Sequence, residues 1–95
     1  MAADLEKAVG YLSHLPGVRR IWLFGSAAKG RQLDWRSDLD FAIEGLAAAD
    51  LAKAWSELDA RLDLPVDLVR WEEASPTLQA EIRRTGRLLF GAEVQ

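Results

Sequence analysis

The stretch Ser37-Asp38-Leu39-Asp40-Phe41-Ala42-Ile43, read together with the earlier Phe24-Gly25-Ser26, decides the fold of this chain. A strand alternates its faces, so Leu39, Phe41 and Ile43 can enter a core while Asp38 and Asp40 both leave on the other side. Two carboxylates about 6.6 Å apart at their backbones, on one face, repel each other unless a cation lies between them. The pattern stabilises a sheet poorly and suits a divalent ion. Magnesium is the cation expected.

On the N-terminal side, Val18 to Phe24 reads as a strand that is apolar on both faces at Ile21-Trp22-Leu23-Phe24, as an interior strand should be. Gly25-Ser26 ends it. Before it, Leu5, Ala8, Val9 and Leu12 fall at helical spacing and predict a helix from about Asp4 to His14, stopped by Leu15-Pro16-Gly17. Ser26 to Gly30 suits a helical turn, and Arg31 to Arg36 a polar loop. On the C-terminal side the acidic strand runs from about Asp38 to Glu44 and closes at Gly45. Leu51, Trp55, Leu58 and Leu62 then predict a helix over about Ala47 to Leu62.

Leu64-Pro65 forces an extended approach to a short third strand, Val66-Asp67-Leu68-Val69-Arg70-Trp71. Ser75-Pro76 pairs an N-cap with the favoured first helical residue, opening a helix through about Thr85 that Gly86 ends, and Leu88-Leu89-Phe90 adds an edge strand. The link between the first two strands is too short for a full helix, so the sheet is expected to be mixed. The reading is an α/β (α+β) two-layer fold, a small mixed β-sheet with helices packed mainly on one face, in a single domain over residues 1–95.

Composition narrows the function. The 95 residues are 49% hydrophobic and 28% charged, ordinary for a folded domain that buries roughly 60 to 70% of its unfolded surface. A formal net charge of -3 offers no positive field for a long nucleic acid. With no cysteine and one histidine, thiolate and zinc sites are excluded in favour of oxygen donors. The start, Met1-Ala2-Ala3-Asp4-Leu5-Glu6-Lys7, is unlike a signal peptide, and no run reaches transmembrane length, so a cytoplasmic protein without a membrane partner is expected.

Asp67 has Val66 and Leu68 on its opposite face. If its strand lies beside the acidic one, backbones about 4.8 Å apart bring three carboxylates together, enough for two cations. Magnesium combines one or two carboxylates with substrate phosphates and water, so metal and nucleotide would bind together. Gly25-Ser26 can meet phosphate oxygens through backbone N–H groups and the Ser26 hydroxyl, with Lys29 and Arg31 adding positive charge. Gly25 to Gly30 is not a P-loop, because Arg31-Gln32 stands where that motif needs Lys and then Ser or Thr.

On Phe24-Gly25-Ser26-Ala27-Ala28-Lys29-Gly30, Ser37-Asp38-Leu39-Asp40, Val66-Asp67-Leu68-Val69 and Ile82-Arg83-Arg84-Thr85-Gly86-Arg87-Leu88-Leu89-Phe90-Gly91, the chain resembles the DNA polymerase β-like nucleotidyltransferase superfamily. Within it the similarity is to the minimal nucleotidyltransferase (MNT) proteins, over nearly the whole length. The resemblance implies Gly25, Ser26 and Lys29 as nucleotide and phosphate contacts, and Asp38, Asp40 and Asp67 as catalytic ligands of two Mg²⁺ ions. It further implies transfer of AMP from ATP to a hydroxyl, such as a tyrosine, of a HEPN-type ribonuclease toxin encoded nearby, with this chain as antitoxin. Lys29 replaces the arginine more often seen there, and the loop from Ala27 to Ser37 is about one residue longer.

The alternative is a fold that neutralises its partner by binding alone; transfer to RNA or a small molecule is a third reading, disfavoured because no extra substrate domain is present. Trp22, Trp55 and Trp71 are expected in or beside the core, and His14 as a helix-end group. Tyr11 is expected to be partly buried. Trp35 is placed to stack on a base, touch a partner or pack on its own domain.

Overall fold

Strand alternation in the acidic segment sorts its side chains onto two faces, and the whole molecule is arranged around that division. The computed structural model describes residues 2–25, 28 and 38–92. Strands β1 (Arg20–Phe24), β2 (Leu39–Glu44), β3 (Val66–Arg70) and β4 (Arg87–Phe90) form one sheet in the order β3-β2-β1-β4. β1 is antiparallel to β2 and β4, while β2 and β3 are parallel, so the sheet is mixed as expected. The parallel pair needs a crossover, and helix α2 (Leu51–Arg61) supplies it.

Helix α1 (Ala2–Leu12) and α2 cover one face. There Ile21, Leu23, Leu39, Phe41, Ile43, Val66 and Leu68 pack against Ala8 and Leu12 of α1 and Ala54 and Leu58 of α2. Helix α3 (Pro76–Thr85) lies on the other face, where Ile82 joins Trp22, Ala42 and Trp71 in a second, smaller core. Ser75 caps α3 by accepting from the Leu78 N–H at 3.1 Å, as Ser75-Pro76 predicts.

Element ends differ from the sequence reading for local reasons. The first helix closes at Leu12 because the chain tightens there: the N–H groups of His14 and Leu15 reach back only three residues, to Tyr11 and Leu12, ahead of the Gly17 turn. Val18 belongs to that turn, with its N–H on the Leu15 carbonyl, so β1 starts at Arg20. A 3-10 turn over Ala48–Asp50 precedes α2, and Leu62 is already extended. Trp71 leaves the strand and opens a second 3-10 turn, Trp71–Glu73; its ring stacks on Trp22 at 5.7 Å between centroids and 19° between planes.

One tie was illegible in the sequence. Asp4 is 1% exposed, and its carboxylate accepts from the backbone N–H of Asp63 at 3.1 Å and of Leu64 at 3.0 Å. It joins α1 to the connection that delivers β3. At the opposite end of the sheet, beyond the Arg20–Glu44 pair, Gly17 and Gly45 take φ of +81° and +95° and press together, a Cβ on Gly17 reaching the Gly45 carbonyl oxygen at 2.8 Å.

Candidate active site

Pairing register aligns the side chains of the face that α3 shares. Trp22 stands opposite Ala42, which stands opposite Val69, and Leu88 flanks Trp22 on β4; this row is apolar. One step along, Phe24 stands opposite Asp40, and Asp40 opposite Asp67. The face therefore turns from apolar to acidic within two residues. Asp38, two residues before Asp40, extends the acidic row beyond the start of β2.

Each acid has an identifiable support. Leu39 and Phe41, both fully buried, flank Asp40 in sequence and pull β2 into the core, so Asp40 must face away from it. Val66 and Leu68 do the same for Asp67 on β3. The start of that strand is held from behind by Trp55, whose Nε1 donates to the Val66 carbonyl at 2.8 Å, and by the Leu39 N–H on the Pro65 carbonyl at 2.9 Å. Asp38 and Asp67 are exposed and Asp40 is half-buried.

The electrostatics follow from this placement. The Asp40 carboxyl is pushed above its ordinary value, first by burial and then by the negative charges of Asp67 and Asp38. Gly25 ends β1 with φ +76°, and the Asp40 carboxyl group occupies the place where a side chain on Gly25 would lie. The Gly25 carbonyl accepts from the Ala28 N–H at 3.2 Å, so the chain turns immediately after the acidic row. Ser26 and Lys29, expected at the phosphate, lie outside the described residues, as do Arg31 and Trp35.

The donors suit a hard divalent cation, since all three are carboxylates and Asp40 carries excess like charge nearby. Among the described residues no three His, Cys, Asp or Glu side chains are grouped to hold an ion by themselves. The set thus fits an ion that takes its remaining ligands from substrate phosphate and water.

Concavities of about 550 and 430 Å³ lie elsewhere, along α1 and α2 on the opposite side of the sheet. Tyr11, Leu15 and Arg61 line both, and the Arg61 guanidinium covers the Tyr11 ring at 4.6 Å. The acids lining them, Asp50 and Glu57, stand among Lys53 and Arg61, with Glu57 paired to Arg61, and chemistry rather than depth picks out the strand-end site. His14 uses Nδ1 on the Gly10 carbonyl at 2.6 Å, a helix-end contact as expected.

A mixed sheet with a glycine turn and facing carboxylates at one strand end defines a nucleotidyltransferase-type domain. The polymerase beta nucleotidyltransferase family model matches residues 6–95, and the chain belongs to that family. No curated protein matches it. Among solved structures, it is similar to a toxin–antitoxin complex with AMP-PNP at 29% identity and TM-score 0.75, over 96% of this chain and 73% of the other. It is similar at 26% identity and TM-score 0.75 to a structure of tri-AMPylated Shewanella oneidensis HEPN toxin in complex with MNT antitoxin, over 96% of this chain and 72% of the other. A minimal nucleotidyltransferase matches at 26% identity and TM-score 0.73, over 90% of this chain and 89% of its own.

Proposed function

We propose that this chain is a magnesium-dependent nucleotidyltransferase that moves AMP from ATP to a hydroxyl, a tyrosine in the first instance, of a HEPN-type ribonuclease toxin, and so acts as its antitoxin in the cytoplasm. The observation that carries the reading is the register of Asp40 against Asp67, with Asp38 in the same row and the Gly25 turn at its end. The solved structures add a nucleotide analogue in one relative's complex and AMP on the toxin in another.

In the reaction the acceptor oxygen bonds to the α-phosphorus of ATP, the bond to the β-phosphate oxygen breaks, and pyrophosphate leaves while the hydroxyl proton is lost. Asp38, Asp40 and Asp67 would hold Mg²⁺, which supplies charge neutralisation at the attacking and leaving oxygens. The chain's own work is placement. β2 and β3 bring the acids to one strand end, α1 and α2 back the sheet on the other face, and the Gly25 turn leaves backbone room for phosphate oxygens.

Incubating the chain with ATP, Mg²⁺ and the neighbouring gene product, followed by intact-mass and peptide mass spectrometry, tests the proposal. An added AMP on a toxin tyrosine is expected, and it should disappear with Asp40→Asn. Tight complex formation without any adduct would instead assign neutralisation by contact.

A further inference from the structure

We propose that Gly25 is the seat of the Asp40 carboxylate, a positioning residue whose missing side chain fixes where that carboxylate points. This rests on the reading of Asp40 as a site carboxylate, but its geometry stands on the fold alone. A Cβ on Gly25 would lie 3.4 Å from the Asp40 Cγ and 3.7 Å from its Cβ, with Oδ2 inside contact distance. Its own chain neighbours aside, the three heavy atoms nearest to it all belong to Asp40.

The backbone on both sides is committed. Phe24 is the register partner of Asp40, and the Gly25 carbonyl accepts from the Ala28 N–H. Gly25 also holds φ +76°, which L side chains rarely adopt. A methyl group placed there must therefore move the carboxylate rather than the strand. The carboxylate is the softer element, because it rotates about its own χ angles while β1 is tied to β2 and β4. Direct phosphate contact does not require this arrangement: a turn glycine can serve a phosphate without a carboxylate packed on its Cα. The consequence is that the Gly25 position and the Asp40 position act as a unit.

The test separates this from the strain of positive φ and from loss of activity. Side-chain carboxyl ¹³C resonances of Asp40 and Asp67 would be followed in the parent and in Gly25→Ala, beside urea unfolding of Gly25→Ala, Asp40→Ala and the double variant. The expected results are a displaced Asp40 resonance with Asp67 little changed, and a drop in the folding equilibrium constant from Gly25→Ala at least threefold smaller once Asp40 is alanine. Should Gly25→Ala fail to fold, recovery of folding in the double variant carries the same meaning. An unmoved Asp40 resonance, additive losses, or no recovery overturns the proposal. None of these readouts depends on AMP transfer, so a chain inactive toward every toxin leaves them interpretable.

Discussion

Asp40 shows how one position can work against the fold that holds it. Burial and two like charges raise its proton affinity in the folded chain. Its contribution to stability is therefore fully present below the ordinary carboxylate value of 3.8 and is lost as pH rises through the elevated value. Asp40→Asn removes that titration. At neutral pH the variant should be more stable than the parent, with the gap closing on acidification toward pH ~4; paired urea titrations at the two pH values measure it. A variant less stable than the parent at neutral pH would contradict the electrostatics. The sequence reached this site because Asp-x-Asp in an apolar strand has only one face to occupy. It could not show that Gly25 makes room for Asp40, since that contact depends on the register between β1 and β2, which residues 25–38 separate in the sequence.

Among the elements, the connection from α2 into β3 carries the most consequence. Asp4 reaches from α1 to accept two backbone N–H groups there while almost wholly buried. Asp4→Ala leaves both donors without that acceptor and should lose about 2–3 kcal/mol in urea unfolding. Asp4→Asn, which keeps a carbonyl oxygen, should recover part of the loss. Equal stability of all three proteins would remove Asp4 from any structural role. Element types were legible because the periodicities are clean: Leu51, Trp55 and Leu58 for the crossover helix, Val66 and Leu68 for the strand. Their ends were not, because they are set by 3-10 turns and by contacts such as the Trp22–Trp71 stack, which join residues far apart in sequence.

At the scale of the whole molecule the sheet separates two tasks. One face is a continuous apolar layer under α1 and α2; the other is apolar beneath α3 and acidic beyond it. A ligand that binds only the folded chain adds RT ln(1 + [L]/Kd) to its stability, about 2.7 kcal/mol at a hundredfold excess over Kd. Mg²⁺ with AMP-PNP should therefore raise the melting temperature of the parent, while Mg²⁺ with AMP-PNP added to Asp40→Asn should raise it far less. Identical shifts in both proteins would place the nucleotide away from the acidic row.

Because β2 and β3 run parallel, Asp67 can join Asp40 only after α2 has carried the chain back across the sheet. During synthesis the β1–β2 half of the pocket emerges first and waits, chemically incomplete, for the return stroke. A product truncated anywhere before Val66 would lack one wall of the site, so the order of translation itself delays its assembly until β3 has left the ribosome.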